Sequence, residues 1–410
     1  MGYRIEVRDR DLNRVGEVDT WIKLDFSVVF CAQGSWQLLI KNNTPQAKLF
    51  QKGGGIAIYQ DGVSTPILTG AIETFQKYWT VEQHTNDGSV YISGHCDNKL
   101  AYSRLAFPDP TKSVAAQWSS AVSTRTVSSG SSAALWNEVN RAMGPGALAD
   151  RKVPGLVLDG SLPEGAPLSD SLRYDVLGSK FEEWIAKNPG TGYRFVYDPN
   201  AKAIVLRVFQ PRDLTQKVRF SPDLGNLREF VYSVTAPSVT RVIVACQGEG
   251  NARYIYQQVN TAIEQEWGIQ VEAFVDRRDL GIVTSATGQP AKAVSTMTDA
   301  DFNAAVQAVK DAASSALSDG APKGNLQIYP IDTPQMAFGR DYFVGDLVTA
   351  YIDGVPYSDV LRQVTVSVDD GGKTLSVAPV IGDQGTGNPL NLYSVVSDMR
   401  DRVRKLETRV

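Results

Sequence analysis

Histidine and cysteine are scarce in this sequence of 410 residues. Its two histidines, His84 and His95, are too few for a histidine-rich or two-histidine metal site. The three cysteines, Cys31, Cys96 and Cys246, are far apart, form no CxxC pair and lie in or beside apolar segments. This predicts buried, reduced thiols and neither metal nor cofactor. Adjacent side chains on a strand point to opposite faces, so His95 and Cys96 are not expected to form a site.

The sequence also has no excess of basic residues and no long hydrophobic run. Lys+Arg total 41 and Asp+Glu 45, for a formal net charge of -4, which predicts poor affinity for nucleic acid and no sequence-specific binding to it. No run approaches the ~18 apolar residues of a membrane-spanning helix. The first residues, MGYRIEVRDRDLNR, lack the apolar core of a signal peptide. We therefore expect synthesis in the cytoplasm and no membrane-spanning segment.

No catalytic or nucleotide-binding motif is complete. GxSxG and HExxH are absent, and Gly248-x-Gly250 lacks both the third glycine of a dinucleotide fingerprint and the lysine of a phosphate loop. The acidic pair Glu182-Glu183 falls on the expected solvent side of a helix. The sequence therefore predicts no catalytic residues, and we expect that the protein is not an enzyme.

Length and patterning predict a β-dominated α+β protein with several domains. The length corresponds to two to four domains at ~100–200 residues each, and short strand-like runs between turn signals favour small barrels or sandwiches. The clearest helix is Thr298–Leu317, which begins with a capping box of Thr298 and Asp301. The predicted domains are a first β-domain (1–107), an α/β insertion (108–215), a second β-domain in two pieces (216–255 and 338–384), a second α/β insertion (256–337) and a C-terminal helix (385–410).

The strongest periodic pattern lies in the last 19 residues. Apolar residues recur there at spacings of four and three, with valine at a and leucine or methionine at d: Leu392, Val396, Met399, Val403, Leu406 and Val410. Such a narrow seam favours an intermolecular coiled coil over a helix packed on its own domain. Valine at a with leucine at d favours two strands, whereas Arg402 at g and Glu407 at e match a pattern known from trimeric coils. The stoichiometry stays open on these residues alone.

Several short motifs follow one another along the chain. They are Gly34–Ile40, Gly94–Arg104, Val139–Leu156, Gly225-Asn226-Leu227, Trp267-Gly268, Asp276-Arg277-Arg278 and Gly345-Asp346-Leu347-Val348. In order and spacing they resemble the tail hub, or minor tail, proteins at the tail tip of long-tailed phages that infect actinobacteria. The resemblance covers most of the chain.

The resemblance implies two small β-barrels of the tail-tube type, each interrupted by an α/β insertion. The heptad pattern adds a C-terminal coiled-coil stub. Three chains would present six barrels, so a homotrimer could dock on the six-fold tail tube or distal tail protein ring. The implied function is that of a structural virion protein at the tail tip. It would adapt six-fold to three-fold symmetry, close the tube until DNA ejection and carry distal tip or fibre proteins, with the tape measure protein as a further partner.

Two other functions remain open on the sequence. One is a tail-associated cell-wall hydrolase, because longer tail-tip homologues often carry a lytic or host-binding extension. The sequence stops at the predicted coil, which argues against that extension. The other is binding of host glycans through tryptophans of the β-rich half, Trp21, Trp36, Trp79 and Trp118. Aromatic residues on strands more often belong to the core.

Overall fold

The computed structural model of the chain describes residues 2–79, 88–188, 190–330, 333, 336–369 and 374–381. Strands account for 42% and helices for 19% of the described residues, which confirms the predicted β-dominated α+β class. His84 and the predicted C-terminal helix at 385–410 lie outside the described residues. The chain divides into two compact units. The first is formed by Met1–Phe230 with Gln327–Gly382, and the second contains Val231–Leu326.

The N-terminal part of the first unit is built of strands. They are β1 (Tyr3–Arg8), β2 (Arg14–Val18), β3 (Lys23–Val29), β4 (Ser35–Lys41), β5 (Gly55–Gln60), β6 (Leu68–Ala71), β7 (Thr74–Tyr78) and β8 (Ser89–His95). One sheet has the order β2-β1-β5-β6, and the other four strands join a larger sheet. Strand β3 has the alternation typical of a strand with one buried face. Its residues Leu24, Phe26 and Val28 are buried, and the residues between them are not.

An insertion of mixed structure follows within the same unit. Its elements are α1 (Lys99–Tyr102), β9 (Arg125–Gly130), α2 (Ser131–Ala142), β10 (Leu156–Leu158), β11 (Pro167–Leu172), α3 (Leu177–Lys187), β12 (Gly192–Asp198) and β13 (Ala203–Phe209). The strands form a sheet β10-β13-β12 and a pair β11-β9. Apolar residues from Leu172 to Ile185 are spaced as on a helix that would begin at about residue 170. The chain instead continues as β11 to Leu172, because Leu168 and Leu172 are buried at an even spacing while β9 supplies the strand partner.

The chain continues through two strands into the second unit. The elements are β14 (Arg219–Phe220), β15 (Leu227–Thr235), β16 (Arg241–Ala245), β17 (Ile255–Val259), α4 (Thr261–Trp267), β18 (Glu272–Asp276), β19 (Ile282–Thr284), β20 (Pro290–Lys292) and α5 (Asp299–Asp319). The predicted helix Thr298–Leu317 is confirmed as α5. Thr298 Oγ1 accepts a hydrogen bond from the Asp301 N–H at 3.1 Å, which satisfies one of the free donors of the first turn. The apolar stripe of α5 packs on the sheet β17-β16-β18.

The last described strands complete a ten-stranded sheet. They are β21 (Lys323–Pro330), β22 (Leu347–Ile352), β23 (Val355–Asp369) and β24 (Thr374–Ile381). The main order is β15-β21-β24-β23-β3-β4-β8-β7, with β22 beside β23 and β14 beside β22. Strands β23 and β3 pair antiparallel from Gln363↔Val29 to Asp369↔Lys23. This pairing joins the N-terminal and C-terminal β-regions in one sheet.

The predicted closed barrels differ from what the described strands form. Among those strands the sheets are open, and the ten-stranded sheet ends at β15 on one side and at β7 on the other. The physical reason is that β23 takes β3 as its second neighbour, so the hydrogen bonds that could close each half on itself link the halves instead. A single bridge, Gly70↔Cys96, connects β6 with the end of β8.

Candidate functional site: the polar face of the large sheet

A row of polar side chains crosses six strands of the ten-stranded sheet. From β24 to β7 the register-paired residues are Ser376, Ser367, Asp25, Gln37, Ser93 and Thr74. Side chains alternate between the two faces of a strand, and residues next to the row, such as Phe26, Trp36 and Val366, are buried. The sheet therefore packs one face on the core and presents a second one, the polar face, which is defined by this row.

Hydrogen bonds join the polar face across neighbouring strands. Gln37 Nε2 donates to Asp25 Oδ2 at 2.6 Å, and Ser367 Oγ donates to Asp25 Oδ1 at 2.5 Å. Tyr91 OH donates to Gln37 Oε1 at 2.9 Å, and Lys23 Nζ lies 3.5 Å from Asp25 Oδ2. Neutral donors and one lysine thus surround the only carboxylate of the row. The face consists mainly of hydroxyl and amide groups and carries little net charge.

A shallow groove of 370 Å³ lies on this face and reaches the C-terminal end of β8. There His95 Nδ1 lies 2.9 Å from Glu73 Oε2, and Lys99 Nζ lies 2.7 Å from the same oxygen. Burial alone would raise the pKa of Glu73, but the hydrogen bonds from Lys99 and His95 outweigh it and lower that pKa. Glu73 is therefore an ionised partner of two basic side chains, which is a structural arrangement at the sheet edge.

His95 and Cys96 diverge, as the strand geometry predicted. Cys96 Sγ accepts a hydrogen bond from the Gly34 N–H at 3.0 Å, away from Glu73 and the groove. Burial raises the pKa of the Cys96 thiol to about 11, and burial also raises the pKa of Cys31 and of Cys246. All three cysteines are free thiols. In the described part of the chain no group of side chains is arranged to hold a metal ion.

The Gly94–Arg104 motif contributes Asp97 to a buried ion pair. Arg8 Nη2 lies 2.6 Å from Asp97 Oδ1, and each side chain is 4% exposed. Thr69 Oγ1 donates to the other oxygen of Asp97 at 2.6 Å, and the Arg8 guanidinium lies 5.0 Å from the centre of the Tyr197 ring. A pair that is buried this deeply needs such additional hydrogen bonds to offset its loss of hydration.

The same motif supports the edge of the insertion sheet. Strand β12 is an edge strand, and every second backbone N–H on its free side needs an acceptor. Side chains of the N-terminal β-region supply these acceptors: Cys31 Sγ for Tyr193 at 3.2 Å, Asn98 Oδ1 for Phe195 at 2.9 Å and Thr69 Oγ1 for Tyr197 at 3.1 Å. We call this set of three hydrogen bonds the capped edge. It fixes the insertion on the N-terminal strands and gives Cys31 a structural role.

The tryptophans proposed for glycan binding separate into two classes. Trp21 and Trp36 belong to the buried core, which excludes them from direct contact with a ligand. Trp79 follows the exposed edge strand β7 and is 58% exposed, and Trp118 is 86% exposed. The chain thus offers two separate exposed indole rings.

The predicted oligomerisation residues belong to the C-terminal segment of the chain. Leu392, Val396, Met399, Val403, Leu406 and Val410, together with Arg402 and Glu407, lie outside the described residues. Their assignment to a coil stays a prediction. Among the described helices, none combines the length and apolar character needed to cross a membrane.

The whole sequence now allows a comparison with known proteins. Residues 4–383 match the family described as Siphovirus ReqiPepy6 Gp37-like protein. The chain belongs to this family. Comparison of this Gp37-like sequence with curated proteins gives no match.

The Gp37-like fold is also found in phage tail proteins. The 43 kDa tail protein of prophage MuSo2 from Shewanella oneidensis is 10% identical, with a TM-score of 0.54 over 92% of this chain and 98% of that chain. The tail protein from Neisseria meningitidis MC58 is 12% identical, with a TM-score of 0.53 over 93% and 97%. At these identities the likeness concerns the fold. Together with family membership, it confirms the resemblance to long-tailed phage tail proteins. An actinobacterial host stays a prediction.

The polar face of the Gp37-like chain was missed in the sequence, although a signal was present. Serine and glutamine alternate with apolar residues in β3 and β4, and the same alternation occurs in β23. Hydroxyl and amide residues repeated in this way on strands indicate a solvated face. The order of the strands, which brings these segments side by side, has no local sequence signal.

Proposed function

We propose that three copies of this Gp37-like chain form the hub at the tip of a phage tail and dock on its six-fold tube. The supporting observation is the composition of the ten-stranded sheet. Its main path consists of two four-stranded halves, β3-β4-β8-β7 and β23-β24-β21-β15, joined between β3 and β23. Three chains would supply six such halves, which matches a six-fold ring while the hub itself keeps three-fold symmetry.

The edges of the sheet support contacts between copies. All five residues of β7 are exposed, among them Phe75 and Tyr78, and β15 is the last strand at the other end. Open edge strands present unpaired N–H and C=O groups that pair readily with another chain. In the proposed trimer these edges meet neighbouring halves, and the 385–410 segment forms a coil on the three-fold axis.

In this arrangement the polar face lines the channel of the hub. DNA phosphates bind to cationic walls through counterion release, whereas the row through Asp25, Gln37 and Ser93 is neutral or acidic. Such a wall lets DNA pass without binding it. We further propose that the hub closes the tube until infection, contacts the tape measure protein and carries distal tip or fibre proteins.

Native mass spectrometry of the purified chain, alone and with tube protein, tests the assembly. We expect the chain alone to form a complex of three times its 44.6 kDa mass. With tube protein, we expect this trimer to bind a six-fold ring. A monomer bound to the tube would contradict the proposal. The seam of the coil is tested separately by replacing Val403 and Leu406 with aspartate. The variant should loosen the trimer and distal attachment, while the strands stay folded.

The channel is tested by adding positive charge to it. Gln37→Arg in the phage should slow DNA ejection without preventing tail assembly, because the new guanidinium can bind phosphates. Gln51→Arg is the matched control, since Gln51 is exposed and lies outside the polar face. Equal ejection rates for the two variants would exclude the polar face as the channel wall.

A second candidate, glycan binding, is supported by Trp118 and Trp79. Large exposed aromatic side chains often mark interaction sites. Quenching of tryptophan fluorescence by host cell-wall polysaccharide, lost in Trp118→Ala or Trp79→Ala, would support it. If the polysaccharide leaves the fluorescence of the wild type and of both variants unchanged, glycan binding at these residues is excluded.

The family and fold are those of phage tail structural proteins, which agrees with the expectation that the chain is not an enzyme. That expectation stays a prediction. Cell walls incubated with the purified chain should stay intact over a broad pH range. Solubilisation that a single carboxylate substitution abolishes would revive the hydrolase alternative.

A further inference from the structure

A cleft of 440 Å³ in the first unit has an unusual concentration of arginine. Four guanidinium groups line it, those of Arg194, Arg207, Arg212 and Arg340, beside an apolar wall that includes Pro66 and Ile67. The cleft lies between the β12–β13 hairpin and the segment before β22. It is separate from the polar face of the large sheet, because none of these residues belongs to the strands of that face.

Two of the four arginines are neutralised by aspartates. Arg212 Nε and Nη2 donate to the two oxygens of Asp346 at 2.9 and 2.6 Å. The hydrogen bond to Asp346 raises the pKa of Arg212. Arg340 Nη2 lies 2.7 Å from Asp341 Oδ2. Two of the four positive charges in the cleft are therefore balanced by carboxylates of the same chain.

The other two arginines face each other without an acidic partner. Arg194 and Arg207 are register partners on β12 and β13, and within the described part of the chain neither one is in an ion pair. Like charges directly opposite each other on a sheet are destabilising. Stacking of Arg194 on the Phe343 ring, 5.1 Å from its centre, offsets part of this repulsion.

The charge of Arg194 persists at neutral pH. Burial, with the nearby Arg207 charge, lowers the pKa of Arg194 to about 10, which still leaves it protonated. The cleft therefore contains two uncompensated cations on a partly buried surface. An anion placed between them would remove the repulsion and use the planar fork geometry in which guanidinium groups bind carboxylates.

We propose that this arginine cleft binds an acidic segment of a partner polypeptide, whose Asp or Glu carboxylate lies between Arg194 and Arg207. The apolar wall decides between a peptide and a nucleic acid. Val63 and Phe209 also line the cleft and are partly exposed, so they can pack against the apolar neighbours of the acidic residue. A sugar-phosphate backbone has no apolar side chains to place there and would lose hydration against this wall. The inference does not depend on the hub assignment, because the cleft and its charges belong to a single chain.

Calorimetric titration of the full chain tests this site. The probe is a blocked pentapeptide with one glutamate between leucines, and the matching glutamine peptide is its neutral control. We expect the glutamate peptide to bind and the glutamine peptide not to bind. Arg207→Gln should weaken binding about tenfold or more, as expected for a charge-assisted hydrogen bond. Arg173→Gln, at an exposed arginine elsewhere in the same unit, should leave binding unchanged.

The remaining outcomes are equally decisive. Arg207→Lys keeps the charge but loses the fork, so intermediate affinity supports the proposal even if Arg207→Gln fails to fold. Equal binding of the two peptides, or no binding of either at millimolar concentration, overturns it. A short DNA duplex that binds more tightly than the peptide and loses binding in Arg207→Gln overturns it as well, in favour of a nucleic-acid site.

Discussion

The two insertions of this chain differ in how their small sheets are stabilised. The first, from β9 to β13, belongs to one compact unit with the N-terminal strands, whereas the second, Val231–Leu326, is a unit of its own. Each has a small sheet with helices. The difference lies in where the apolar side chains and the strand-edge hydrogen bonds find partners.

The capped edge attaches the first insertion to the N-terminal β-region. Acceptors from the N-terminal strands bind the free N–H groups of β12, and the buried pair of Arg8 and Asp97 lies at the same contact. The second insertion instead packs a core from its own residues, including Val244, Ile282 and Val309. An insertion is thus independent when its own core is sufficient, and it merges with its host when its sheet edge is satisfied by host side chains.

The largest expected effect comes from Asp97→Ala, which breaks the contact of the first insertion. It leaves the Arg8 charge buried and unpaired, at a cost of about 3–5 kcal/mol in the free energy of unfolding. Hydrogen exchange measured by mass spectrometry should show lost protection in the first unit only. Asp11→Ala, at an exposed aspartate, is the control. Equal loss of protection in Val231–Leu326 would mean that the two units are not independent.

Ile282→Ala tests the same comparison from the other side. Ile282 is fully buried in the core of the second unit, and truncation of a buried isoleucine costs about 2–5 kcal/mol. Protection should fall in β16, β18 and α5 and stay unchanged in the first unit. Ile255→Ala removes the same side chain from an exposed position on β17 and should cost far less. A loss that spreads to β12 would break the comparison.

Asn98→Ala sharpens the comparison at one residue of the capped edge. The variant removes the acceptor of the Phe195 N–H and also the donor to the Ala32 carbonyl, and an unsatisfied buried donor costs about 1–3 kcal/mol. We expect faster exchange at β12 with little change in β3 and β4. Asn42→Ala is the control, because its side chain makes no hydrogen bond among the described residues. Unchanged exchange at Phe195 would show that the capped edge does not hold the insertion.

Local features of the fold were predictable from the sequence. The α5 helix follows from its stripe and from the Thr298 cap, both of which act within four residues. The thiols of Cys31 and Cys246 were correctly placed in the interior, since their neighbours are apolar. These predictions succeeded because they depend on contacts between residues that are close in sequence.

Long-range features were not predictable in the same way. Gln363 donates to Ser27 across a separation of 336 residues, and no local pattern specifies that β23 pairs with β3. The arginine cleft is an intermediate case. The two strands and the turn between them at Asp198 have local sequence signals, and the hairpin register places Arg194 opposite Arg207. Only the folded chain shows that neither of them has an acidic partner among the described residues.

The smallest expected effect concerns acid sensitivity inside the first insertion. Trp184 Nε1 donates to Asp170 Oδ2 at 2.7 Å, and Lys180 Nζ lies 3.5 Å away. Burial alone would raise the pKa of Asp170, but these contacts and the Ser171 N–H lower it below its usual value of 3.8. A depressed pKa contributes stability above the unfolded value, and that contribution is lost as the pH falls through the folded value.

The Asp170→Asn variant should therefore lose stability relative to the wild type at neutral pH and approach it below about pH 3. Because Asp170 is partly exposed, the difference at neutral pH should be at most about 1 kcal/mol. Denaturant titrations at several pH values measure it, with Asp311→Asn on the exposed side of α5 as the control. In hydrogen exchange measured by mass spectrometry, the acid-dependent difference should appear in peptides of β11 and α3 only. A pH-independent difference would show that the Asp170 charge does not stabilise this insertion, and a response in α5 would mean that the two insertions are coupled.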